Sequence, residues 1–389
     1  MCPTLSATIL DRTLVVARAI PEGRLRPLPY SRNIADDAPL LLHSLSEFRE
    51  LIFACLEAAG VSAVAEVGSE DGTFSRELAT WAGGRGGRVF CIDPDPAPGL
   101  VALAESSPDV RLVQQLSVDA LTSIEPCDAY LIDGDHNYYT VARELELIET
   151  RQSSAGKDLL VILHDMGWPA GRRDMYYAPD SIPADALHPH TFDKGVRPGI
   201  QGVAAGGFRS EGHFAWARQE GGPANGVRTA VEDFLATRPN LALAVVPAVF
   251  GLGILYAASS PYADRLAAIV STYTENPMLE RLEANRIRVY LRVIELQDTL
   301  ATAYRDLETA GLRIRDVEVE NRALWARVAE LEGRVGELED GRRAAVGELE
   351  AILRSRPFRL AERVSRLRRL RGGDPGLSRE RMRALVDGG

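Results

Sequence analysis

The sequence is short of positive charge. It carries 45 Lys and Arg against 55 Asp and Glu, a net charge of -10 over 389 residues and a pI of about 5.3. General nucleic-acid binding needs a basic footprint, so nucleic acid is excluded as a partner class. Cysteine is scarce too. Cys2, Cys55, Cys91 and Cys127 show no CxxC spacing and sit singly in mostly apolar stretches. They read as reduced, buried thiols of a cytosolic protein, not as a disulfide frame. The stretch MCPTLSATILDRTLVV lacks a basic n-region and a long apolar run, so no signal peptide is expected. No window has the length and apolarity of a membrane span. LALAVVPAVFGLGILYAA comes nearest, and its Pro247, Gly251 and Gly253 make it two buried strands around a turn.

What is present divides into segments. Residues 1–60 form a lead-in whose LHSLSEFRELIFACLEAAG places Leu45, Phe48, Ile52 and Leu56 on one helical face, with Gly60 as a stop. Across 61–258, short apolar runs (SAVAEVG, GRVFCIDP, DVRLVQQ, DAYLIDGD, DLLVILHD) alternate with loops and helical stretches. That pattern implies an α/β fold, a Rossmann-like doubly wound and mostly parallel sheet. NLALAVVPAVFGLGILYAA should close it as an antiparallel hairpin at the edge. The irregular stretch 166–226, rich in Gly, Pro, Arg and His, is long for a loop in a compact domain, which points to a lid or substrate site.

After a helical connector, 259–292, a seven-residue repeat runs over 293–353. Its a positions are Val293, Leu300, Leu307, Ile314, Asn321, Val328, Val335, Arg342 and Leu349. Its d positions are Leu296, Ala303, Ala310, Val317, Leu324, Leu331, Leu338, Ala345 and Ile352. This predicts a long parallel coiled coil and hence a homodimer, with Asn321 fixing register. Arg313 with Glu318, Arg327 with Glu332 and Arg334 with Glu339 are attractive g-to-e pairs. The competing reading is one long helix packed on its own domain. In the tail, 354–389, Phe358, Ala361, Val364, Leu367 and Leu370 recur at near-helical spacing among arginines. Such a basic amphipathic helix suits peripheral contact with an anionic membrane at its cytoplasmic face; the competing reading is a solvated basic tail, or one docked on an acidic face of its own protein.

The turn Gly68-Ser69-Glu70-Asp71-Gly72 follows the first strand. A dinucleotide fingerprint needs a glycine where Glu70 stands, and adjacent carboxylates repel a pyrophosphate. A P-loop needs Lys and Ser or Thr after its last glycine, and these are missing. An acidic turn suits a ligand without phosphates and with positive charge, such as S-adenosylmethionine. Glu66 is placed to help hold its amino-acid end, and Asp93, ending the second strand, to accept from two ribose hydroxyls. Asp93 could instead be a turn or cap aspartate before Pro94.

EVGSEDG, CIDP, LIDGDH and ILHD, in that order and spacing, resemble strands one, two, four and five of class I S-adenosylmethionine-dependent methyltransferases. More narrowly they resemble the branch of macrocin-type and rhamnosyl O-methyltransferases and cephalosporin hydroxylase-like proteins. The resemblance covers about 60–258. It implies a cofactor site at Glu66, Gly68, Ser69, Gly72 and Asp93, and a sugar-containing small molecule or glycan as acceptor. It also implies a divalent metal, Mg²⁺ being the candidate, held at Asp133, Asp165 and His164, with His136 as general base. Here His164 stands where the branch often has Glu, so the site loses one charge. The chemistry requires such groups because a sugar hydroxyl is a poor nucleophile at neutral pH. Arg172, Arg173, Tyr176 and Tyr177 could grip an anionic sugar, and His188 and His190 are a weak metal pair. The rival reading is a coiled-coil organiser of a surface-polysaccharide assembly.

Overall fold

A computed structural model describes residues 45–210, 212–370 and 379–387; Cys2 and the first 44 residues of the lead-in lie outside them. The described residues divide after Leu296 into two units. In the first, a 3₁₀ turn, Leu45–Phe48, enters α1 (Arg49–Ala59). Leu45, Phe48, Ile52 and Leu56 are all buried, as their spacing implies. Gly60 ends the helix at φ 70, the left-handed conformation that glycine adopts without cost.

Five parallel strands follow: β1 (Ala63–Val67), β2 (Arg88–Ile92), β3 (Val110–Val113), β4 (Ala129–Ile132) and β5 (Leu160–Leu163). Between them run α2 (Thr73–Gly83), α3 (Pro98–Ser106), α4 (Ser117–Ser123) and α5 (Tyr138–Ala155). Neighbouring side chains of each strand enter opposite cores. Val64 packs with Ile52, Leu78 and Leu266 on one face. Ala65 packs with Leu145, Ile148 and Val231 on the other. Each fully buried aliphatic side chain contributes roughly 1.5–3 kcal/mol. Coverage of both faces is why the strands read as near-continuous apolar runs.

Small strands β6 (Met175–Tyr176), β7 (His190–Thr191) and β8 (Ala215–Ala217) come next, then α6 (Val227–Ala236), β9 (Leu241–Val246), β10 (Leu252–Ala257) and α7 (Ala263–Val270). The main sheet has the order β3-β2-β1-β4-β5-β10-β9. β10 runs antiparallel to both β5 and β9, so the expected hairpin is present, with β9 at the edge. This is the Rossmann-like, mostly parallel sheet that the strand pattern implied. Chain order reverses between β1 and β4, and the crevice at such a switch point is where ligands bind.

The stretch 166–226 is not wholly irregular. Its three strands form a separate antiparallel sheet, β6-β8-β7, too short to show a period in the sequence. Arg173, fully buried, is its strut. The guanidinium donates to the carbonyls of Ala217 at 2.6 Å and Gln201 at 2.7 Å, and pairs with Glu220 at 3.5 Å. Arg172 pairs with Glu232 on α6. Arg173 therefore braces the loop from inside and is not open to a ligand, which corrects the sequence expectation for it, while Arg172 stays partly exposed. Glu220 to Val227 is turn chemistry: a Cβ at Gly226 would lie 2.5 Å from the amide of Arg173.

One helix, α8 (Pro277–Arg354), spans 78 residues, about 117 Å at 1.5 Å per residue. The basic α9 (Arg356–Arg369) is capped by Ser355, whose hydroxyl accepts from the Phe358 amide. The last helix is α10 (Arg379–Asp387), and Arg379 donates to the Leu353 carbonyl at 2.9 Å. Among the described residues, no helix is long and apolar enough to cross a membrane.

Replacing Arg173 by Met strips a buried guanidinium from three loop partners. We expect a loss of about 3 kcal/mol in stability, read by denaturant unfolding, with protease cleavage appearing within 175–217. Unchanged stability would show that the strut is dispensable.

Candidate active site

The strand register aligns one row of residues across the sheet top. Gly68 donates its N–H to Ile92 O, Asp93 to Val113 O, Asp133 to Val67 O and His164 to Ile132 O. These four thus follow β1, β2, β4 and β5 at one level. Gly68 must lack a side chain: a Cβ there would lie 2.2 Å from Asp133 O. Gly72 begins α2 at φ 77.

Beneath the turn, Glu66 is 2% exposed. Ser69 donates to it at 3.0 Å, and Ser75 donates to the same oxygen. Glu66 and Ser69 therefore build the turn from inside. Burial pushes the Glu66 carboxyl up to about 7. Glu70 and Asp71 are exposed on the turn. Asp93 accepts the Glu70 amide at 2.8 Å on one oxygen and the Asp95 amide at 2.9 Å on the other. It joins the ends of β1 and β2, and each oxygen keeps a second lone pair.

After β4 and β5, two carboxylates and two imidazoles converge. His136 Nε2 lies 3.2 Å from Asp133 Oδ1 and 3.0 Å from Asp165 Oδ2. His164 Nδ1 lies 3.1 Å and 3.0 Å from the same two oxygens. His164 Nε2 is 2.9 Å from the carbonyl of Val249. A carbonyl only accepts, so that nitrogen carries a proton. Burial opposes charge on His136, but Asp165 and Asp133 outweigh it and raise its pKa to about 10. His164 is likewise raised, by Asp133 and Asp165. Burial alone would raise both carboxyls; the imidazoles instead hold Asp133 and Asp165 below the usual range. His136 therefore keeps its proton at neutral pH, where the sequence reading had it near its working pKa. The reason is Asp165, which comes from another strand and lies 3.0 Å away.

Among the described residues, Asp133, His136 and Asp165 offer donor atoms close enough together to hold a metal ion. Mg²⁺ is bound through oxygen. Here an imidazole nitrogen, His164 Nδ1, occupies the position beside both carboxylates, and that donor set does not fit Mg²⁺.

Residues 65–166 match the family model described as a methyltransferase domain. This part of the chain is thus similar to a methyltransferase domain. No curated protein matches the chain. Solved structures resemble it distantly. A putative caffeoyl-CoA O-methyltransferase from Staphylococcus aureus is 14% identical over 64% of this chain and 99% of its own, at TM-score 0.33. An O-methyltransferase from Bacillus cereus, in complex with SAH, is 16% identical over 65% and 91%, at TM-score 0.33. An rRNA methylase from Streptococcus thermophilus is 11% identical over 54% and 94%, at TM-score 0.31. Likeness this distant leaves the fold resting on the strand order.

Around the cluster stand residues with other duties. Asp135 is tied by Asn137, Thr140 and the Tyr177 amide, a local role. Tyr176 is buried against Asp174 at 2.7 Å. Tyr177 is 52% exposed, its ring 6.0 Å from that of His136 and 5.9 Å from that of Phe214. His188 and His190 bond to separate backbone carbonyls, of Ala224 and His188. The sequence reading missed Val249, whose carbonyl orients His164. It also missed Glu283, whose carboxylate accepts the amides of Val249 at 3.1 Å and Phe250 at 2.9 Å. A carbonyl leaves no mark in a sequence; only the turn after β9 hinted at this position.

Two buried acids make stability depend on pH. Burial pushes Glu66 to about 7 and Glu144 on α5 to about 8, the Ser117 hydroxyl easing the latter only in part. In the unfolded chain both ionise near the ordinary glutamate value of 4.5. Between these values the folded state holds more protons, so their contribution is complete below about 4.5 and is lost as pH rises through 7 and 8. Glu144→Gln should therefore gain on the parent in melting temperature from pH 5 to pH 8.5. A constant difference across that range would contradict the burial argument.

Proposed function

We propose that the protein is an S-adenosylmethionine-dependent O-methyltransferase acting on a hydroxyl, with a sugar as the acceptor class. The observation that carries this reading is the backbone contact between the turn after β1 and the Asp133 loop, seen in the 2.2 Å a Gly68 Cβ would have to Asp133 O. A ligand seated on the turn is next to the cluster. The turn fits this cofactor: Glu70 and Asp71 favour a cation, and Asp93 has a free lone pair on each oxygen for ribose hydroxyls. Bound there, S-adenosylmethionine supplies a methyl group activated on a sulfonium.

The chain's own residues do the rest. Asp93 orients the ribose while joining two strand ends. Ser69 and Ser75 hold Glu66 so that the turn keeps its shape. The acceptor hydroxyl loses its proton as its oxygen takes the methyl, and His136 is the residue assigned to receive it. It can do so only when Asp133 and Asp165 are engaged elsewhere, because they hold a proton on it in the free protein. Tyr177 and Phe214 give the acceptor an aromatic wall, suited to the C–H face of a sugar ring. A second reading, a coiled-coil organiser, draws on the 78-residue helix and gains if the full chain binds no cofactor.

The test uses methyl-¹³C-labelled cofactor and a panel of glycosides. A methoxyl carbon signal is expected; label appearing on nitrogen or carbon would contradict transfer to oxygen. His136→Ala should slow turnover about 10²–10⁴-fold while leaving S-adenosylhomocysteine affinity unchanged; normal turnover would remove His136 from the proton-accepting role. Asp93→Ala should weaken that affinity about tenfold or more, the value of one or two lost hydrogen bonds.

A further inference from the structure

We infer that Asp133, Asp165 and His164 form a site for a divalent transition ion of the Mn²⁺, Co²⁺ or Zn²⁺ class in place of Mg²⁺, with His164 as the selecting ligand. The inference does not rest on methyl transfer. His164 Nδ1 lies 3.1 Å from Asp133 Oδ1 and 3.0 Å from Asp165 Oδ2. Donors about 3 Å apart match adjacent positions around an ion with bonds of about 2.1 Å. Imidazole and carboxylate together suit transition ions, whereas Mg²⁺ takes oxygen.

The surroundings of His164 are built for a ligand. A ligating histidine almost always donates its other ring N–H to a carbonyl or carboxylate, which aims the free lone pair at the metal. Val249 supplies that carbonyl at 2.9 Å. To present it, Val249 and Phe250 adopt φ 43 and φ 61, a region that is strained for a β-branched valine. Glu283 sustains the conformation by accepting both amides. Asp165 also stands at φ 59. Three positive-φ residues thus surround one imidazole and one carboxylate, and such strain clusters at functional sites. His136 is different: its Nδ1 is buried with no partner, so no strut fixes it as a ligand. It remains the proton acceptor.

The experiment uses metal-stripped full-length protein and titrates Mn²⁺, Co²⁺, Zn²⁺ and Mg²⁺ separately by calorimetry. Transition ions outrank Mg²⁺ at many sites, so the change on substitution is the test. His164→Asp should lower the Co²⁺-to-Mg²⁺ affinity ratio by about tenfold or more. An unchanged ratio overturns the assignment. If that variant fails to fold, pulsed EPR of the Mn²⁺-loaded parent decides. Directly bound imidazole nitrogen is expected, and it should persist in His136→Ala. Absence of nitrogen coupling, or no ion binding below millimolar concentration, would show a self-neutralised ion-pair cluster instead. S-adenosylhomocysteine binding is read separately, so failure of the methyltransferase reading leaves this result interpretable.

A different observation carries a second proposal: α8 pairs in parallel with a second copy of the chain. Its a and d side chains are open along the helix, with Leu296 at 52%, Leu324 at 62% and Leu338 at 72% exposure. Charge selects the occupant and its direction. The charged e positions are Glu318, Glu332 and Glu339, while g carries Arg313, Arg327 and Arg334 together with Asp306, Glu320 and Glu348, whose parallel e partners Gly311, Trp325 and Leu353 are uncharged. A parallel partner sets g against e, Arg against Glu. An antiparallel one sets e against e, where every charged residue is Glu, and g against g, where the signs are mixed. Asn321 at an a position meets its own copy only in the parallel, in-register pair. Sedimentation equilibrium of the full chain should give a dimer. Leu338→Cys should form a disulfide between identical positions under mild oxidation. A monomer at tens of micromolar, or a dimer that Leu338→Cys cannot cross-link, overturns the proposal.

Discussion

Two carboxylates and two imidazoles share a space of about 3 Å at the ends of β4 and β5, and much of the first unit serves to hold them there. Burying a charge unpaired is costly, because the interior screens poorly and gives back little of the lost hydration. Each of the four groups is tolerable only because the other three are present. The sheet makes the meeting possible. Register between β1, β4 and β5 puts Asp133 and His164 on one level, and a glycine at position 68 lets the neighbouring turn close against them.

The supports lie further out. Glu283, at the start of the long helix, holds the strained turn between β9 and β10, and that turn aims His164. Arg173 and Asp174 knit the loop that carries Tyr177 to the mouth of the site. A cluster built this way depends on backbone carbonyls and buried struts as much as on its own side chains.

This explains what the sequence showed and what it hid. β1 to β5 were legible because strands buried on both faces are short apolar runs with glycine or aspartate after them. Asp133, His136, His164 and Asp165 were legible as a group because they end strands on either side of a switch point. Their protonation was not legible: it depends on Asp165 standing 3.0 Å from His136, a tertiary distance. Arg173 looked like a substrate clamp because an arginine pair in a long loop has the same appearance whether it faces solvent or braces the chain. The three strands within 166–226 are two or three residues each, below the length at which alternation shows. The heptad repeat was legible for the opposite reason, since it is sustained over nine a positions.

The central claim is that the acidic turn between β1 and α2 seats S-adenosylmethionine beside the cluster. The most direct test is calorimetric titration of the full chain with S-adenosylhomocysteine. Saturable binding in the micromolar range, at one site per chain, is the expected result. Absence of binding at millimolar ligand, from protein shown to be folded, would contradict it.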